Sequence, residues 1–401
     1  MHSTLSARRL AGIALAASIA ATAPAQAAPV FNLNFIGGTS TQAQNAFTQA
    51  AAIWSNALAD SVTVNLTVGT ATLGSGILAS AGSTEVIYSY AAVRAALVAD
   101  STSANDAIAV THLQAGPSLK LRINATSNNP NGSGSFTPYI DNNGAANTSL
   151  LTDPVGLNNN VINMTRANAK ALGLGSTGLL ATSTDANCSG SCDGYIAFNN
   201  AFSFDYDPSN GIASGLFDFV GIAIHEIGHA LGFISGVDVL DINSPGARGP
   251  FLDDDFTFVA PLDLYRCTAA SAALGALDWT VGNPGTARMF SLNACQTSLA
   301  TFSQGRIRGD GQQASHWKDN LGLGIMDPTA GTGEPLTITT LDLIAMDVIG
   351  WNLPNQVPPV APPVATPAPA SALVFALGLA GLGFTRRPTP ARRTLARRTL
   401  A

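Results

Sequence analysis

Apolar and polar positions along this chain follow two periods. Val62, Val64, Leu66 and Val68 alternate with polar neighbours, which predicts a half-buried strand. Val30–Phe35 (VFNLNF) reads as a second strand. Between them, Gly37-Gly38-Thr39-Ser40 makes a turn and a helix cap. Ala43, Phe47, Ala50, Trp54 and Ala57 then recur at helical spacing, predicting an amphipathic helix over 41–58. Strand, helix and strand in succession suggest a mixed α/β layer. A short helix is expected over 165–172, stopped by Gly173, and the Asn-, Ser- and Gly-rich stretch 125–160 reads as surface loops. Gly194–Phe198 (GYIAF) is a short apolar strand, and the apolar run Phe217–Phe233 suits a buried helix. A final helix spans Thr339–Ile349. Thr339 with Asp342 forms a capping-box-like start, Leu341, Ile344, Ala345 and Val348 form its stripe, and Gly350 ends it. No repeat of 20–50 residues is visible. The expected class is α+β.

The buried helix carries the chemistry. His225-Glu226-Ile227-Gly228-His229 places two histidines four residues apart on one helical face, where neutral imidazoles can hold one zinc ion. Glu226 is placed to act as general base toward a metal-bound water. With five histidines and three glutamates in 401 residues, chance would supply roughly 0.0005 such motifs. Ionisable groups inside an apolar helix are also costly unless something pairs them. Gly232 follows at the position where a glycine ends the helix and turns the chain.

A third ligand is needed. Ser235, three residues after that glycine, is not a credible zinc ligand. Asp238, Asp241, Glu334 and His316 remain. HEIGHALG resembles the metzincin clan of zinc peptidases. Ala314-Ser315-His316-Trp317, followed by Gly324-Ile325-Met326-Asp327-Pro328, resembles its leishmanolysin-like branch, in which a long insertion separates the glycine from the third histidine. The resemblance implies His316 as third ligand, Met326 as the Met-turn residue under the metal, and Glu226 as catalytic residue. It also implies an upper part over about 28–235, with a twisted mixed sheet, and an insertion and lower part over about 236–352. The strand at 194–198 would be the edge that pairs with extended substrate. The expected activity is a zinc metalloendopeptidase acting on protein or peptide substrates, with one catalytic Zn2+. The rival reading is a surface or matrix-binding protein with an idle zinc site. Within the insertion, Phe251-Leu252-Asp253-Asp254-Asp255 offers three carboxylates, a weak candidate for Ca2+ against a solvated acidic turn.

The two ends concern export. Arg8-Arg9, an apolar run Leu10–Ala21 and Ala25-Gln26-Ala27 make a signal peptide over 1–27. Residues 353–369 form a Pro-rich linker. Residues 370–401 carry an apolar, Gly-rich segment that ends at Arg386-Arg387, then a basic tail. This arrangement resembles the PEP-CTERM sorting signal of Gram-negative exported proteins, with Ala368 where that pattern has glutamate. It implies export across the inner membrane to the cell surface or medium. A sorting peptidase would act on the tail, and the apolar helix would hold the membrane at least transiently. Cys188, Cys192, Cys267 and Cys295 fit an oxidising compartment. Of the three possible pairings, sequence order favours Cys188–Cys192 and Cys267–Cys295. The formal charge is −6. Eight of nineteen basic residues lie in the two end segments, so the middle holds 11 basic against 25 acidic groups. That balance argues against nucleic acid as a partner.

Overall fold

The computed structural model describes residues 27–354, except 143–158, 176–177, 179, 183–186, 245–248, 250, 257 and 283–284, together with 373–374. Of the segment 1–27 read as a signal peptide all but Ala27, most of the Pro-rich linker and most of the apolar and basic tail lie outside the described residues. Among those described, no helix is long and apolar enough to cross a membrane. Leu373–Val374, inside the segment read as an apolar helix, pairs antiparallel with Thr329–Ala330.

The architecture is α+β, with several small sheets around a buried helix. The strand–helix–strand start forms as its pattern predicts. Val30–Phe35 and Thr63–Ala71 pair in parallel, joined by the helix Thr41–Ala57. Ser40 caps that helix by accepting from Ala43 N–H. Thr63–Ala71 also pairs in parallel with Gly194–Asn199, and Ala79–Ser83 adds antiparallel on the far side. Gly194–Asn199 is therefore an interior strand. Within this sheet, the edge on the far side from Val30–Phe35 belongs to Ala79–Ser83, which corrects the expectation for 194–198. The 79–83 segment, ASAGS, is too small and polar to signal a strand; pairing with its neighbour overrides local propensity.

The helix Phe219–Leu231 packs beneath this sheet and against Thr41–Ala57. Phe217–Asp218, read as its first turn, instead pairs in parallel with Phe204–Asp205. All thirteen residues of this central helix are buried, as its all-round apolar pattern requires. Asp218 accepts from Gly221 N–H at its start, and Gly232 ends it with φ +124°. Two indoles hold its flanks: Trp54 Nε1 donates to Ile224 C=O, and Trp351 Nε1 to Leu231 C=O, each at 2.8 Å.

The insertion folds into short pieces. They include the helix Val237–Asn243, the strand Leu277–Trp279 beside Leu121–Ile123, and a small antiparallel sheet of Arg266–Cys267, Arg288–Phe290 and Ala300–Phe302. Both favoured disulfides form: Cys188–Cys192 and Cys267–Cys295. Tyr139–Asp141, within the expected loop region, is a short strand. One hydrophobic cluster runs from Ala43 to Trp351, so the parts before and after the central helix share a core.

Candidate metal centre

His225 and His229 lie one turn apart on the central helix, and His316 comes to them 87 residues after His229. One ligand atom from each histidine lies within 4.8 Å of the other two. His229 Nε2 is 3.2 Å from both His225 Nε2 and His316 Nε2. Each Nδ1 faces a backbone carbonyl: Ile325 for His225 and Phe233 for His229, both at 2.6 Å, and Gln313 for His316 at 3.3 Å. A carbonyl only accepts, so each Nδ1 carries the ring proton and each Nε2 presents a lone pair. The close Nε2 pairs are therefore not hydrogen bonds. They are lone pairs facing one another, an arrangement that calls for a cation between them. Two nitrogens bound to one tetrahedral zinc stand about 3.3 Å apart, close to the observed 3.2 Å.

Burial reinforces this. Desolvation lowers the His225 pKa to about 4 and holds His229 and His316 well below the ordinary imidazole value. The three rings are neutral, as ligands must be. Glu226 is fully buried, neither carboxylate oxygen has a hydrogen-bond partner, and desolvation raises its pKa well above the usual range. Such a carboxylate is expensive to bury alone. The donor set and the orphaned carboxylate together fit a divalent cation. Of the three histidines His229 is the most exposed, at 6%.

Met326 is buried under the site. A Cβ added to Gly228 would lie 2.6 Å from Met326 Sδ, so the helix face between the two histidines is bare where the thioether packs. Trp317 N–H donates to Met326 C=O at 3.0 Å, pairing the His316 segment with the Met326 turn. Asp342 accepts from Ile325 N–H at 2.8 Å, Met326 N–H at 3.3 Å and Trp317 Nε1 at 2.8 Å. The remaining ligand candidates have other work. Asp238 and Asp241 accept backbone N–H groups of the 307–315 segment. Glu334 is exposed and accepts from Gly331 N–H. Ser235 Oγ donates to Asp263 at 2.5 Å.

The acidic turn at 253–255 does not gather its carboxylates. Asp253 accepts from Asn128 and Tyr139, and Asp255 from Leu252 N–H. Among the described residues, the histidine triad is the one group of three or more His, Cys, Asp or Glu whose ligand atoms converge. Asp263 was not singled out by the sequence; Asp342 signalled only a helix cap, and Asp238 was weighed only as a ligand, not for the backbone bonds it makes. Comparison with family models, with curated proteins and with solved structures finds no match to this chain.

Proposed function

We propose that this protein is a zinc metalloendopeptidase of metzincin type. The observation that carries the reading is the convergence of His225, His229 and His316 Nε2 beside the unpartnered Glu226 carboxylate. Met326 packed beneath the helix supports the Met-turn assignment.

His225, His229 and His316 would hold the ion. Zinc held there would supply Lewis acidity toward a water and the scissile carbonyl. The protein's own residues do the rest. The Nδ1–carbonyl bonds fix the three rings and their tautomer. Glu226 accepts the proton of the attacking water on a carboxylate oxygen and passes it to the departing amide nitrogen. The buried surroundings exclude competing water from that transfer. An extended peptide is expected to pair with the edge strand Ala79–Ser83, which packs on the central helix.

Purified residues 28–356 should contain one zinc and cleave casein. Glu226→Gln should keep the zinc and lose activity by about 10²–10⁴-fold. His316→Ala should lose both zinc and activity. Undiminished cleavage by Glu226→Gln sinks the mechanism. Zinc without cleavage in the unaltered protein moves the binding-protein reading to the front.

A further inference from the structure

His316 is the least anchored of the three rings. Its Nδ1 bond to Gln313 C=O is 3.3 Å, against 2.6 Å for the other two. Its position must therefore come from its backbone. Two residues before it, Ala314 is gripped at both ends. Its N–H donates to Asp238 Oδ1 at 2.6 Å, and Ser315 N–H donates to Asp238 Oδ2 at 3.1 Å. Its C=O accepts from Arg266 Nη1 at 3.4 Å, while Arg266 Nη2 holds Ser303 C=O at 2.9 Å. Asp238 and Arg266 are both 1% exposed. Asp238 stands on the short helix that follows the central one, so it ties the frame of His225 and His229 to the segment bearing His316.

We propose that Asp238 is a positioning residue for the metal centre: its carboxylate, bonded to Ala314 and Ser315 N–H, presets His316 Nε2 beside His229 before any ion binds. The proposal rests on the zinc reading above. Asp241 provides an internal control. It lies one turn further along the same helix and also accepts two backbone N–H groups, Ile307 at 2.6 Å and Arg308 at 2.8 Å, but eight residues or more before His316. A merely structural role would make the two aspartates alike.

The test is zinc affinity, read by competition with a chromophoric chelator, of the unaltered protein, Asp238→Asn and Asp241→Asn. An asparagine at 238 turns one acceptor into an NH2 facing a backbone N–H. Zinc affinity should fall 10- to 100-fold in Asp238→Asn and stay unchanged in Asp241→Asn. Substituted Co2+ should lose its intense low-coordinate visible band in Asp238→Asn alone. Equal zinc affinity in Asp238→Asn and the unaltered protein overturns the proposal, as does an equal loss in both variants. A second measurement needs no variant. The Ala314 and Ser315 amides should be protected from hydrogen exchange in the metal-free protein, and free exchange there also overturns the proposal. An unaltered protein that binds no zinc fails the zinc reading itself, a result distinct from either of these.

Discussion

The Asp342 carboxylate accepts five hydrogen bonds: from Ile325 N–H, Met326 N–H, Trp317 Nε1, and Thr339 through both N–H and Oγ1. The Met326 N–H and the Ile325 C=O are two ends of one peptide group. That C=O accepts from His225 Nδ1, so the carboxylate is linked through one amide to the first histidine of the triad. Asp342→Ala would leave several buried donors unmet and should cost about 3–5 kcal/mol, read by urea titration of the metal-free protein. A loss under 1 kcal/mol would show that these donors find other partners. At this scale the sequence was legible where spacing is local. His225, Glu226 and His229 share one helical turn, and Thr339 with Asp342 reads as a cap. The further partners of Asp342 lie 16 to 25 positions away, and no local spacing announces them. His316 became readable only through its resemblance to a known arrangement.

Among elements, the central helix was the clearest in the sequence because its burial leaves only one possible residue type on most of its faces. What holds it was not legible. Trp54 and Trp351 lie 170 and 120 positions from the carbonyls they reach, and a tryptophan in a sequence does not reveal where its N–H will point. The edge strand Ala79–Ser83 was missed for a different reason: five small or polar residues carry no period. The cross-links, by contrast, followed from chain order. Cys267–Cys295 spans 28 positions and Cys188–Cys192 spans four. On loop-closure entropy, replacing the first pair by alanine should cost about 3.5 kcal/mol and the second about 2 kcal/mol. Thermal melts of the two double variants should keep that order, and a reversed order would mean that native packing, not chain entropy, sets the contribution.

At the scale of the whole molecule, four buried or half-buried aspartates, Asp60, Asp100, Asp106 and Asp347, meet where the last helix packs on the first half of the chain. Asn352 donates to Asp60 and Asp100, and Ser103 Oγ to Asp347. Burial raises Asp60 and Asp100 to about 6 and Asp347 to about 7, with Asp106 and Asp100 adding repulsion to Asp347. The folded state thus holds protons that the unfolded chain has released between pH 4 and pH 7. Stability from these groups is complete below pH 4 and is lost as pH rises through 6 to 7. Asp347→Asn should be more stable than the unaltered protein at pH 8, on the order of a few kcal/mol, with the gap narrowing as pH falls and closing only below pH 4. Comparing the two proteins at each pH cancels the opposite contribution of the buried histidines. A gap that does not change with pH would rule this out.

The same corner has a mechanical meaning. Trp351 and Asn352 are the last buried residues before the Pro-rich stretch, and Asn352 C=O accepts from Ala59 N–H at 2.8 Å. A pull from the tail first loads the Leu373–Val374 pairing with Thr329–Ala330; once that parts, it falls on the Ala59 bond and the two Asp60 bonds, and next on the indole that closes the C-terminal turn of the central helix. A tether on this tail would hang its weight two residues from His229, through Leu231. If the histidine triad holds zinc, force-clamp pulling from the C-terminus should accordingly release it before the sheet at the chain's start comes apart, and the reverse order would place the weak link elsewhere.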